Sequence, residues 1–202
     1  MNEHNELLVA TNNVGKVREL SQLLSDFPVR LRLLAEFPEV FEAEETGETF
    51  EENALIKARH YSTHTGLLTL SDDSGLAVDA LGGAPGVRSA RYAGREATYA
   101  ERMSKLLDEL DATGDEQRRA RFVCVIAVAD PAAGAPHTFE GICEGRLARA
   151  PRGNGGFGYD PLFIPDGYDR TFGELPADIK HQLSHRARAL RQAVRHLRER
   201  YV

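Results

Sequence analysis

Apolar runs and amphipathic stretches alternate along this chain. Leu7-Leu8-Val9-Ala10 is a short continuous apolar run, the pattern of a buried strand. A polar loop over 11–16 follows, and then Val17, Leu20, Leu23, Leu24 and Phe27 recur at helical spacing, which predicts a helix over 16–25. Residues 30–34 read as a second strand. Thr49, with Glu52 three positions later, predicts a capped helix start, and Ala54, Leu55, Ala58 and Tyr61 carry that helix to near Gly66. Leu67-Leu68-Thr69-Leu70 reads as a third buried strand, and the serines and glycine of Ser71-Asp72-Asp73-Ser74-Gly75 read as a strand-to-loop break. After a glycine-rich connection over 82–94, Thr98 caps a helix to about Leu110, and 111–116 forms a polar linker. Residues 121–129 and 138–148 read as long strands of a hairpin around 131–136, and 166–171 is rich in turn formers. The last helix opens at Lys180, with Leu183, Ala187, Leu190, Val194, Leu197 and Tyr201 as its buried stripe. The order predicts an α/β protein with a mixed sheet.

Composition narrows the class. A chain of 202 residues makes one domain or two lobes, and it contains neither an internal repeat nor a low-complexity tail. Apolar residues are 42% and charged residues 28%, the balance of a globular protein. The net charge of −6 does not advertise nucleic-acid binding. The absence of any run of 18 apolar residues predicts no membrane span. The polar, acidic start over 1–6 lacks a signal-peptide core, which points to the cytoplasm. Cys124 and Cys143, the two cysteines, fall on the hairpin strands and are expected as reduced core residues.

Candidate chemistry lies in the polar breaks. Asp72 and Asp73 follow an apolar run, and carboxylates at a strand end of an α/β protein lie where ligands bind. Such a pair can hold a hard cation, activate a water, or simply form a turn. Thr11-Asn12-Asn13-Val14-Gly15-Lys16 joins a strand to a helix, so its backbone N–H groups and Lys16 can receive an anion, with Thr11 and Asn13 as side-chain donors. It can equally be an ordinary connection with a capping Asn. It lacks the glycine spacing of the Walker loop. In the glycine loop that ends Phe157-Gly158-Tyr159-Asp160, the two aromatics can stack on a planar base, and Asp160 can accept from a ring N–H. They can instead tuck into the core. His185 and Arg186, near the start of the last helix, can face a base or a phosphate, while Arg188, Arg191, Arg195, Arg198 and Arg200 read as its solvated face. His4, His60, His64, His137, His181 and His196 show no ligand-like spacing.

Taken in order, Thr-Asn-Asn-Val-Gly-Lys, Glu-Glu-Thr-Gly, Ser-Asp-Asp-Ser-Gly-Leu, Gly-Gly-Phe-Gly-Tyr-Asp-Pro and Ser-His-Arg resemble the inosine triphosphate pyrophosphatase (Ham1-like) family from about residue 7 to 197. Gly82-Gly83-Ala84-Pro85-Gly86 and Ser89-Ala90-Arg91-Tyr92 are similar to its bacterial branch. The resemblance implies a single domain over 1–202, an elongated twisted mixed sheet with two helical lobes and a central nucleotide cleft. It also implies a homodimer and Mg²⁺-dependent hydrolysis of non-canonical purine nucleoside triphosphates (dITP, ITP, XTP) to monophosphate and pyrophosphate, the cleansing of the nucleotide pool.

It casts Asp73 as base or holder of the metal-bound water, with Asp72 supporting it. Glu45 becomes the second metal carboxylate, with Glu44 and Glu48 as alternatives. Lys16 and Lys57 become phosphate clamps within a substrate set of Thr11, Asn12, Asn13, Val14 and Gly15. Ser74 donates to a phosphate or orients the water. Residues 157–160 line the base pocket, and Lys180, His185 and Arg186 reach the base or the phosphates. A Maf-like nucleotide pyrophosphatase, or a regulator that binds without turnover, would share parts of this pattern.

Overall fold

The computed structural model describes residues 6–201, with the side chain of Tyr201 left out. The acidic start over 1–5, with His4, lies outside the described residues, as does the place of Tyr201 in the last helix's stripe.

Strand β1 (Glu6–Ala10) leads into helix α1 (Val14–Leu23), then β2 (Arg30–Leu33). Helix α2 (Phe50–Thr65) starts where the capping pattern predicted: Thr49 Oγ1 accepts from Glu52 N at 3.1 Å, and Glu52 Oε2 accepts from Thr49 N at 3.1 Å. It ends at Gly66, which takes the left-handed conformation of a C-cap. Strand β3 (Leu68–Val78) follows, then α3 (Tyr99–Thr113), capped by Thr98 and Glu101 in the same way. The long strands are β4 (Arg119–Ala129) and β5 (His137–Leu147); β6 (Phe163–Pro165) is short. Helices α4 (Ala177–Leu183) and α5 (His185–Tyr201) complete the chain. The six strands form one mixed sheet in the order β2-β1-β3-β4-β5-β6; β1 runs parallel to β2 and β3, and β6 antiparallel to β5.

Contacts divide the chain into two compact units. The first takes residues up to Asp73, Cys124–Gly141 and those from Arg186 onward; the second takes Ser74–Val123 and Ile142–His185. In the first unit the alternation of strand side chains sorts the core onto two faces. Leu7, Val9, Leu68, Leu70, Cys124 and Ile126 pack with Leu20 and Leu24 of α1 and with Leu190 and Leu197 of α5. On the opposite face Leu8 and Ala10 pack with Tyr61, and Val125, Ala127 and Ala129 pack with Ala54 and Ala58, all three from α2. In the second unit Leu76, Val78, Phe122 and Phe163 gather against Leu106 and Leu110 of α3 and against Phe172.

Three expectations change. β3 does not break at Ser71: it runs eleven residues, through both aspartates and Gly75. Polar residues end a strand when they seek water, but here Ser71 Oγ donates to the Ala54 carbonyl at 2.7 Å, and both aspartates meet buried cations. The terminal helix does not open at Lys180. Ser184 adopts an extended conformation that separates α4 from α5, so Lys180 and Leu183 sit on the shorter helix. α3 runs on to Thr113 before Gly114 stops it, and β6 has too few residues to show a period. Cys124 and Cys143 are both buried and form no disulfide among the described residues, as expected.

Candidate active site

Because β3 continues through the Asp-Asp pair, its alternation sends the two carboxylates to opposite faces. Asp72 shares the face of Leu68 and Leu70, with α1 and α5. Asp73 shares the face of Ser71, with α2.

On the first face Asp72 is 1% exposed and ringed by cations. Lys16 Nζ lies 3.2 Å from Oδ1 and Arg186 Nε lies 3.2 Å from Oδ2. Arg186 is itself 2% exposed and also donates from Nη1 to Glu19 Oε2, and the Cys124 thiol points at Asp72 Oδ2. Burial alone would raise the Asp72 pKa, but Lys16, Arg186 and Lys57 together hold it well below the ordinary carboxylate range. The guanidinium expected to face a base or phosphate is enclosed between two carboxylates. The sequence offered one clue to Glu19: an acidic residue directly before Leu20 on the apolar side of α1.

Lys16 reaches this face from a well-built loop. Asn13 caps α1, its Oδ1 accepting from Lys16 N at 3.1 Å, and Asn13 N donates to Thr11 Oγ1 at 3.2 Å. The expected side-chain donors thus frame the loop as acceptors. The first intrahelical bond runs from Val17 N to the Asn13 carbonyl, which leaves the N–H groups of Val14 and Gly15 ahead of the helical ladder. Asn12 and the Val14 side chain are exposed there.

On the second face Lys57 Nζ bridges Asp73 Oδ1 at 2.9 Å and Glu45 Oε1 at 2.8 Å. Burial would lower the Lys57 pKa; Asp73, Glu45 and Asp72 overcome it and hold the ammonium above its ordinary value. Asp73 moves the other way from Asp72. Burial raises its pKa, and the opposing Lys57 and Lys16 do not cancel that. Asp73 Oδ2 is buried with no hydrogen-bond partner among the described residues. Among the glutamates of the acidic loop, Glu45 is half-buried, while Glu42, Glu44 and Glu48 face solvent.

The loop is held by residues the sequence reading passed over. Asn53 Oδ1 accepts from Gly47 N at 2.8 Å and its Nδ2 donates to the Gly47 carbonyl, while Tyr61 Oη accepts from Ala43 N at 3.2 Å. The signal was present: Asn53, Lys57 and Tyr61 recur every four residues, on one face of α2.

The second unit holds another expected group. Asp160 Oδ2 accepts from Lys180 Nζ at 2.5 Å and from Phe157 N at 2.7 Å, and Lys180 Nζ lies 4.6 Å from the centre of the Phe157 ring. Gly156 has φ +69°, and a Cβ there would stand 2.0 Å from Asp160 Oδ2, so the turn requires glycine. Phe157 and Gly158 are partly exposed; Ser74, at the start of this unit, is half-buried. Two of the expected side chains have partners within the protein. Tyr159 is 3% exposed, its hydroxyl donates to the Ser89 carbonyl at 3.0 Å, and its ring meets Tyr99 edge-on, so it belongs to the core. Asp160 serves the loop and Lys180. His185 is buried with its ring stacked on Phe122 at 4.7 Å.

Comparison with known proteins fits this arrangement of motifs. The Ham1 family model matches residues 7–196. The chain belongs to the Ham1 family. A Ham1 relative from Desulforamulus reducens, named dITP/XTP pyrophosphatase, is 48% identical over 98% of each chain. One of the same name from Geobacillus kaustophilus is 50% identical over 92% of this chain and 90% of its own. A HAM1 protein structure from Coxiella burnetii superposes with a TM-score of 0.88 at 47% identity, covering 96% of this chain and 98% of that one. Among the described residues of this Ham1 chain, no helix is long and apolar enough to cross a membrane.

Proposed function

We propose that this chain is a nucleoside-triphosphate pyrophosphatase that hydrolyses dITP, ITP and XTP to the monophosphate and pyrophosphate. Its membership of the Ham1 family and its dITP/XTP pyrophosphatase relatives support the activity. The observation that carries the mechanism is the pair of unlike aspartates: one saturated by cations, the other with an uncommitted buried oxygen and a raised pKa.

Asp73 is the base, taking a proton from the water that adds across the α–β anhydride bond. Its Oδ1 is held by Lys57, which leaves Oδ2 either to accept that proton or to hold the cation that would carry the water. Lys16, with the N–H groups of Val14 and Gly15, binds phosphate oxygens; Lys57 binds them while holding Asp73 and Glu45 in register. Asn12, on the same loop, Ser74, and the framing residues Thr11 and Asn13 complete this part. Phe157 and Gly158 contact the base, with Lys180 and Asp160 fixing their loop; His185 and Arg186 are themselves buried. A buried donor facing the 6-oxo group would reject adenine, whose amino group also donates and leaves that donor unpaired.

Mg²⁺ is the proposed cofactor. Asp73 and Glu45 share one ammonium, and Asp73 Oδ2 is a buried oxygen without a partner, so the donor set suits a hard cation. Among the described residues no group of three or more His, Cys, Asp or Glu side chains gathers as ligands, and a cation that keeps several waters and binds substrate phosphates asks for no more than two carboxylates. When bound, Mg²⁺ neutralises phosphate charge and acidifies water.

We further propose one domain in two lobes, a homodimer, and a cytoplasmic location, the last supported by two buried cysteines that form no disulfide among the described residues. The deciding experiment measures Mg²⁺-dependent pyrophosphate release from dITP, XTP, dGTP and dATP by the wild type and Asp73→Asn. Release from dITP and XTP alone, abolished by the substitution, is expected. Equal rates on all four substrates would overturn the base preference, and release of inorganic phosphate would overturn the bond assignment.

A further inference from the structure

The second unit contains a cavity of about 490 Å³ lined by residues that the proposed reaction does not use. Four arginines lie in its wall: Arg118, Arg146, Arg149 and Arg152. Their environments differ in a way that points to a ligand.

Arg118 is the fixed part. Its backbone sits in the left-handed region at φ +53°, unusual for a residue with a side chain and held there by Asp115 Oδ2, which accepts from Arg118 N at 3.0 Å. Its buried guanidinium is fully engaged with Asp111 and the carbonyls of Leu147 and Ala148. This geometry ties the turn before β4 to the end of β5 and shapes the cavity floor, where Leu147 and Ile164 are buried.

The other three arginines retain donors. Arg146, half-buried on β5, has no carboxylate within ion-pair distance among the described residues, only a long hydrogen bond to the Tyr168 carbonyl at 3.4 Å. Arg149 pairs with Glu116 where both side chains are mostly exposed; Arg152 pairs through Nε with the partly exposed Glu174 at 3.4 Å and donates from Nη2 to the Asp169 carbonyl at 2.9 Å, which leaves Nη1. Exposed pairs of this kind are weak and exchange readily for a better anion. Glu116 and Asp169 also line the cavity. Arg149 already neutralises Glu116, while Asp169 at the exposed rim is suited to accept from a hydroxyl.

We propose that this cavity binds a phosphate monoester of a sugar or nucleoside. The forked donors of Arg146, Arg149 and Arg152 take the phosphate oxygens, and Asp169 takes a sugar hydroxyl. The volume suits a ligand of nucleotide size rather than a bare anion. The inference is independent of the pyrophosphatase reading, since it uses none of the residues assigned there.

The test is a titration of ¹⁵N-labelled full-length protein with a nucleoside monophosphate and, separately, with inorganic phosphate, at low salt. A nucleoside monophosphate is also a product of the proposed reaction, so amides of 11–16 report that site and amides of 116–118 and 146–150 report the cavity. Saturable shifts in the second group are expected. They weaken about tenfold or more in R146A/R149A, from the loss of charge-assisted hydrogen bonds, while the first group is unaffected. Equal saturation by inorganic phosphate would assign the same site to the free anion. Cavity amides that stay still with both probes, or that shift identically in R146A/R149A, would overturn the proposal, and the wild-type titration alone suffices for the first of these outcomes.

Discussion

Asp72 and Asp73 are adjacent, both buried, and electrostatically opposite. Asp72 faces α1 and α5, where Lys16 and Arg186 hold its pKa well below the ordinary carboxylate range. Asp73 faces α2 and an acidic loop, shares the Lys57 ammonium with Glu45, and has a pKa raised above the usual carboxylate value. A strand that turns successive side chains to opposite faces has thus given two adjacent carboxylates unlike surroundings, which is why we propose a structural role for one and a reactive role for the other. The difference lies in who supplies the cations: helices packed into the core on one side, a helix bordered by a loop on the other.

The largest effect expected is from Asp73→Asn. Removing a positioned base lowers kcat/KM by about 10² to 10⁴, and the substitution is nearly isosteric, so the thermal midpoint stays close to that of the wild type. Steady-state kinetics on dITP with a parallel melt check this. A variant that loses stability rather than turnover would make Asp73 a second structural aspartate and collapse the contrast.

Arg186→Met is expected to behave in reverse. It leaves Glu19 and Asp72 as buried carboxylates without their shared cation, a loss of about 3–5 kcal/mol by urea denaturation. If stability held and only KM for dITP rose, Arg186 would act on substrate, as its place in the Ser-His-Arg motif suggested.

That reversal marks what the residues alone could show. Both capping boxes, Thr49 with Glu52 and Thr98 with Glu101, were legible because capping is local chemistry over four residues. Lys16 and Lys57 were singled out through the family resemblance, and both lie against the aspartate pair. The course of β3 was not, because pattern reading treats Asp-Asp-Ser-Gly as solvent-seeking, and its burial depends on cations 16 and 114 positions away in the chain. Tyr159 was ambiguous for a related reason: an aromatic in a glycine loop packs inward or outward according to a distant acceptor, here the Ser89 carbonyl.

The aspartates also predict opposite pH behaviour. Asp72 has its pKa lowered on folding, so its stabilisation is present above the ordinary carboxylate pKa and is lost as pH falls through the depressed value. Asp73 has its pKa raised on folding, so its ionisation costs stability as pH rises from the ordinary value through the raised one. Urea midpoints should therefore fall between about pH 5 and pH 2 in the wild type, and fall less in Asp72→Asn. The acid limb of kcat/KM, which needs Asp73 ionised, should lie above the ordinary carboxylate range. A limb within that range would remove the electrostatic distinction.

The smallest effect sharpens the comparison most, since it touches one face only. Tyr61→Phe removes the acceptor for Ala43 N while keeping the ring in its cluster with Leu8 and Ala10. The loss of one neutral hydrogen bond costs about 1 kcal/mol of stability. Ala43 stands two residues before Glu45, so a loosened backbone there lets Glu45 leave Lys57 more often. The Mg²⁺ concentration needed for half-maximal rate should rise while the acid-induced stability loss tied to Asp72 stays as in the wild type. Were both to change together, the two faces of β3 would be coupled through the strand itself, and the loop would not be the source of Asp73's reactivity.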